Sequence, residues 1–195
     1  MGEEGNTLWI EKHRPSSFDE VKGQDEIVKR IEAFVKQKNM PHLLFAGPAG
    51  VGKTSLALIV AKKLFGENWK QNTLETNASD DRGIDTIRGI IKDFARVKPI
   101  GDFTWKTIFL DESDNLTKDA QQALRRTMET YSQTTRFIFS INYSSKIIEP
   151  IMSRCTVIRF KPLEEKDIKK IIQNIAQKEN LTINEEAVKA LYKIS

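Results

Sequence analysis

From Leu43 onward, short apolar runs alternate with stretches whose apolar residues recur every three or four positions. That alternation is the pattern of a parallel sheet with crossover helices. The runs Leu43–Ala46, Thr73–Thr76, Thr107–Leu110, Arg136–Ile141 and Thr156–Phe160 are short and mostly apolar, as strands covered on both faces should be. Helical spacing fills the intervals at Lys53–Phe65, Ile84–Ala95 and Lys118–Tyr131, with a shorter pattern near Ile147–Ser153. Ahead of the sheet, Asp25–Lys38 places Ile27, Ile31, Phe34 and Val35 on one helical face. After Phe160 the texture changes to Pro162-Leu163-Glu164-Glu165. A helix then follows over Lys166–Glu179, with Ile168, Ile171, Ile172 and Ile175 in one stripe. The last pattern, Asn184–Ile194, starts with an N-cap candidate at Asn184 and runs into Ser195 with no Gly or Pro stop. The expectation is an α/β fold, a five-stranded parallel sheet flanked by helices over 1–162, followed over 163–195 by the start of a small helical domain that is cut short.

Composition narrows this only a little. The 195 residues are 39% hydrophobic and 30% charged with a net charge of +4, which describes a globular chain and excludes global disorder. No run approaches a membrane span, and Met1–Asn6 is acidic and polar where a signal peptide would be basic and then apolar. A soluble intracellular protein without a membrane partner is expected. The single cysteine, Cys155, cannot form an internal disulfide, and His13 and His42 are too few and too far apart for a zinc set. Lysines and acids balance after residue 162, so the excess charge sits before it, too mild by itself to indicate a polyanionic partner.

The sharpest chemical signal is Gly47-Pro48-Ala49-Gly50-Val51-Gly52-Lys53-Thr54, a match to G-x-x-x-x-G-K-[ST] between a strand and a helix, with Ser55 next. Glycines let the chain wrap so that backbone N–H groups face inward at phosphates, and the helix adds the positive end of its dipole. Lys53 supplies a cation to the terminal phosphates, and Thr54 a hydroxyl ligand for Mg²⁺. A nucleotide's phosphates with Mg²⁺ are therefore expected at this loop.

The strand Thr107–Leu110 runs into Asp111-Glu112. Strand ends are where open α/β sheets place their ligands, and adjacent side chains on an extended chain diverge, so the two acids can take different tasks. Asp111 suits the metal shell, and Glu112 suits polarisation of an attacking water. Asn142 ends the next strand; an amide there can sense the γ-phosphate, although Asn in that setting is commonly a turn former. Arg154, just before the last strand, is placed to reach a neighbouring molecule's site rather than its own; taken alone it reads as an ordinary surface arginine.

These residues together resemble an AAA+ P-loop ATPase, and more narrowly the replication factor C small subunits, the clamp-loader ATPases of archaea and eukaryotes. The resemblance runs from Trp9 to Ile194. It is carried by Trp9-Ile10-Glu11-Lys12-His13-Arg14-Pro15, Gly23-Gln24, the loop at 47–54, Asn77-Ala78-Ser79-Asp80-Asp81-Arg82-Gly83-Ile84, Asp111-Glu112, Gln121–Glu129, Ile147-Ile148-Glu149-Pro150 and Ser153-Arg154-Cys155. The family usually has Tyr at His13, Pro at Ala49, Ala at Ser113 and an apolar residue at Lys22. None of these departures removes a catalytic group; Lys22 puts the side-chain lining of the base pocket in question.

The resemblance implies that Glu112, Lys53 and Asn142 act in hydrolysis with Arg154 completing an adjacent subunit's site in trans. It also implies ATP as the nucleotide and places Ile10, Arg14, Val21 and Lys22 around base and ribose. Its implied partners are the replication factor C large subunit, other small subunits, the sliding clamp (proliferating-cell nuclear antigen) and primer-template DNA. The implied location is the cytoplasm of an archaeon or the nucleus of a eukaryote. The family's second sensor arginine and collar domain would fall beyond Ser195, so weak, neighbour-dependent hydrolysis and weak ring assembly are expected of the chain as it stands.

Arg88 and Lys92 share a helical face with Arg82 just ahead of it, which the resemblance turns toward DNA phosphates; charge balance with Asp85 and Asp93 reads equally as a solvated face. Phe94, Val97, Ile100, Phe103 and Trp105 read either as core or as a clamp-facing surface. The alternatives to a clamp loader are another AAA+ motor such as a branch-migration helicase, a scaffold that binds ATP without turnover, and a P-loop kinase.

Overall fold

The structure, a computed structural model, describes residues 8–79 and 84–194. The described chain runs α1 (Trp9–Lys12), α2 (Asp25–Lys36), β1 (His42–Ala46), α3 (Lys53–Phe65), α4 (Trp69–Asn72), β2 (Thr73–Asn77) and α5 (Ile84–Arg96). It continues through β3 (Lys106–Asp111), α6 (Lys118–Thr130), β4 (Thr135–Ile141), α7 (Glu149–Met152), β5 (Cys155–Arg159), α8 (Glu165–Lys178) and α9 (Glu185–Ile194). The five strands lie in the order β2-β3-β4-β1-β5, and every neighbouring pair is parallel.

Pleating sorts the strand side chains onto two faces. Leu43 and Phe45 of β1, Phe109 of β3 and Ile138 of β4 join the core under α2 and α3. There they meet Ile31, Leu56, Ile59 and Val60. Leu44, Ala46, Ile108, Leu110, Phe137 and Phe139 face the other way, against Ile91 of α5, Leu124 and Met128 of α6 and Ile151 of α7. Both faces are covered, which is why the strands read as continuous apolar runs rather than alternating ones. Phe45, Phe109, Phe137 and Phe139 are fully buried, each stabilising the fold by roughly 1.5–3 kcal/mol through removal from water.

Element ends differ from expectation where turn chemistry intervenes. The helix expected to reach Lys38 stops at Lys36, because Lys38 turns left-handed with φ 48° and closes the end through Asn39 N–H to Phe34 O at 3.3 Å. The pattern at Ile147–Ser153 contracts to Glu149–Met152, which begins next to Pro150, a residue suited to a first turn. The last strand starts one residue earlier than expected, at Cys155, although Phe160 N–H still donates to Ala46 O at 2.8 Å. Asn184 caps α9 as expected, its Oδ1 accepting from Ala187 N–H at 2.8 Å.

Candidate nucleotide-binding site

The loop between β1 and α3 opens at the carboxyl ends of the strands. Gly47 is needed there for space, since a Cβ would sit 2.7 Å from the carbonyl oxygen of Phe160. Gly52, the residue before α3, has φ 96°, a backbone that side chains other than glycine rarely adopt. The turn thus delivers Lys53, 7% exposed, into the loop it follows. Lys53 Nζ donates to Gly47 O at 2.7 Å, Pro48 O at 2.6 Å and Asn142 Oδ1 at 3.0 Å. Burial lowers the Lys53 pKa, and Asp111, Asp114 and Glu112 oppose that shift by attraction.

Thr54 Oγ1 donates to Asp111 Oδ2 at 2.6 Å, and the other carboxylate oxygen accepts Glu112 N–H at 2.9 Å. Both oxygens of Asp111 are therefore oriented. Glu112 itself is left-handed at φ 50°, an uncommon conformation for a residue with a side chain, and Asn115 Nδ2 lies 3.4 Å from its carboxylate. Ser113, where the family usually has Ala, is fully buried and donates to Leu110 O at 2.7 Å, so its extra hydroxyl is satisfied. Asp114 accepts from Tyr143 N–H at 3.3 Å and ties the β3 turn to the β4 turn beside Asn142.

A cavity of about 920 Å³ gathers these groups: Ala49 through Ser55, Asp111, Glu112 and Asn142 on one side, and Ile10, Arg14, Val21 and Lys22 on another. The carbonyls of Gly47 and Pro48 belong to the same loop through Lys53. Lys22 turns its ammonium to Asp19 O at 2.5 Å. One hydroxyl and one carboxylate of hard oxygen character, meeting at 2.6 Å, form a donor pair suited to Mg²⁺ held jointly with phosphate oxygens. Among the described residues no group of three or more His, Cys, Asp or Glu side chains could hold a metal by itself.

The matching family model is that of the ATPase family associated with various cellular activities (AAA), over residues 43–163. The chain belongs to the AAA family. Its sequence is similar to replication factor C small subunits: 60% identical to that of Thermofilum pendens over 96% of this chain and 58% of the relative. The Archaeoglobus fulgidus subunit is 56% identical over 96% and 59%, and that of Methanoregula boonei 53% identical over 99% and 60%. The chain thus spans well under two thirds of these relatives' length. The AAA fold is also seen in a Thermotoga maritima RuvB variant, with a TM-score of 0.73 and 25% identity over 91% of this chain and 58% of that one.

Other sequence-expected residues lie elsewhere. Arg154 stands at the opposite end of the sheet, directly before β5, with Nη2 on Glu129 Oε1 at 2.6 Å and Nη1 on Pro150 O at 2.7 Å. Lys92 is exposed on α5; Arg82 lies outside the described residues, and of Arg88 only its place in α5 is described. The apolar segment divides: Trp105 and Phe103 pack in the core, Phe94 is partly buried, and Val97 and Ile100 are 61% and 51% exposed. Sequence reasoning missed the cavity's other wall, Leu163, Ile171, Asn174, Ile175 and Lys178. The signal was the isoleucine stripe of α8, whose members are only half-buried because part of that stripe faces the cavity. Among the described residues no helix is long and apolar enough to cross a membrane.

Proposed function

We propose that this chain carries the ATP-binding and hydrolysing part of a replication factor C small subunit, one segment of a clamp loader that opens a sliding clamp and places it on primer-template DNA. The observation that carries the reading is the convergence of Lys53, the Thr54 and Asp111 pair, Glu112 and Asn142 in one cavity beside a glycine loop. The similarity to the named relatives supports the biological role. In this reading residues 1–162 form the nucleotide-binding domain and 163–195 belong to a helical lid.

Gly47–Ser55 enclose the phosphates, and Ile10, Arg14, Val21 and Lys22 flank base and ribose. Lys53 exchanges its carbonyl partners for β- and γ-phosphate oxygens while Asn142 keeps it oriented. Thr54 and Asp111 would hold Mg²⁺, which neutralises phosphate charge. Glu112 accepts the proton of the attacking water. Arg154 serves the adjacent subunit, so turnover depends on assembly. Arg82, Arg88 and Lys92 track DNA phosphates without reading sequence. Large-subunit, small-subunit and clamp (proliferating-cell nuclear antigen) partners, and a cytoplasmic site if the source is archaeal, go with this role.

Lys53→Ala is expected to abolish binding of ATP in equilibrium titration, whereas Glu112→Gln keeps binding and loses turnover by on the order of 10²-fold or more. Normal hydrolysis by both variants would overturn the site. ATPase of the full-length protein in its complex should rise jointly with clamp and primed DNA; no joint rise would separate the chain from clamp loaders.

A further inference from the structure

Helix α8 is fastened at both ends. At its start, Gln24 bonds the Lys161 backbone in both directions, Nε2 donating to Lys161 O at 2.8 Å and Oε1 accepting from Lys161 N–H at 3.3 Å. Leu163 and Asp167 close over Gly23 at the same place. The helix then runs 14 residues, about 21 Å, along the cavity wall, presenting Ile171, Asn174 and Ile175 to it. At its far end stands Glu179, whose Oε1 meets His13 Nε2 at 2.6 Å and Lys12 Nζ at 2.7 Å. The imidazole is 5% exposed and the Glu179 side chain 16%, so this pair is largely shielded from water, unlike Lys12 at 53%. Both partners of Glu179 belong to the N-terminal segment, which forms the facing wall through Ile10 and Arg14.

We propose that the grip of His13 and Lys12 on Glu179 is a clasp that sets how fast a nucleotide leaves this cavity. The proposal rests on the nucleotide-site reading and adds a release step to it. The apolar side chains of the two walls attract without direction, and among the described residues the directed contacts across the gap at the far end of α8 are this clasp and the looser Lys178 to Glu20 pair at 3.6 Å. A helix anchored at Lys161 and freed at Glu179 swings as a lever, opening widest where base and ribose would lie.

The charged groups around His13 leave Glu179 as its partner. Arg14 is engaged by Glu11 on the same segment, Lys178 of α8 pairs with Glu20, and Lys12 shares the Glu179 oxygen. The imidazole N–H donates to the Glu179 carboxylate, a charge-assisted bond, and the Lys12 ammonium adds a second to the same oxygen.

The test is stopped-flow displacement of methylanthraniloyl-ADP from the chain. Glu179→Gln should release it roughly tenfold faster than the unsubstituted protein, as loss of a charged hydrogen bond predicts. His13→Phe should be fast as well, and His13→Tyr, which keeps a hydrogen-bond donor, should be slower than His13→Phe. Glu185→Gln, which breaks the exposed Lys169 pair within the lid, should change nothing. Wild-type release rates in Glu179→Gln and His13→Phe would overturn the clasp while leaving the nucleotide site intact, as would equal acceleration by Glu185→Gln. A protein that takes up no nucleotide at all would overturn both readings.

Discussion

His42 opens β1 with its ring packed edge-on to Phe137, centroids 5.6 Å apart, and its Nδ1 accepts Phe137 N–H at 3.0 Å. Burial, with the Arg136 charge behind it, pushes its pKa down to about 4. The proton sits on Nε2, and a second proton would turn the Nδ1 acceptor into a donor facing another donor. The unfolded chain binds that proton at ordinary histidine affinity, so between pH 6.5 and 4 it holds more protons than the folded one. Stability from this group is complete above pH 6.5 and is lost as pH falls toward 4, by roughly 2 kcal/mol at pH 5. Urea unfolding at pH 7 and pH 5 reads the loss, and His42→Gln, which keeps an acceptor without titrating there, should flatten it. An unchanged slope in that variant would remove His42 as the cause. Cys155 contributes nothing of this kind near neutrality, since burial raises its thiol to about 12.

At the scale of elements, β1 approaches β5 so closely at the start of the glycine loop that Gly47→Ala would press a methyl against Phe160, 2.7 Å from its carbonyl oxygen and 2.8 Å from its Cβ. Backbone and Cβ cannot swing aside as a flexible side-chain end can. The substitution should cost about 1–3 kcal/mol and weaken nucleotide binding together, with thermal unfolding and equilibrium titration as the readouts. Binding that fails without any loss of stability would place the glycine's role in ligand contact alone. The strands and α3 were legible because doubly covered runs and helical periodicity are local signals, and the phosphate loop because its spacing is itself the signal. The wall supplied by α8 was not, since His13 and Glu179 meet across most of the chain and nothing near either residue marks the other. For the same reason Trp105 and Val97, alike as apolar residues in one short segment, could not be sorted into core and surface before the sheet was in place.

At the scale of the molecule, the two ends of β1 separate the roles assigned to Lys53 and Arg154. His42 pairs with Cys155 and Ala46 with Arg159; the loop follows Ala46, while Arg154 precedes Cys155. Strand rise alone puts about 13 Å between those ends, and Arg154 leans away on Glu129 and Pro150. It does not line the cavity of its own loop. An arginine on that face serves a nucleotide only if another subunit brings one to it, where it would neutralise charge on the transferring phosphoryl group. Arg154→Ala should therefore bind ATP at its own site as tightly as the unsubstituted protein and lose turnover in the assembled complex by on the order of 10³-fold. Mixing it with Glu112→Gln decides between the two geometries. Each variant alone lacks one half of every site, but an interface that takes Glu112 from the first and Arg154 from the second has both, so two inactive preparations should regain part of their hydrolysis when assembled together. If Arg154 acted within its own chain, every site in the mixture would still lack one group, and no activity would return.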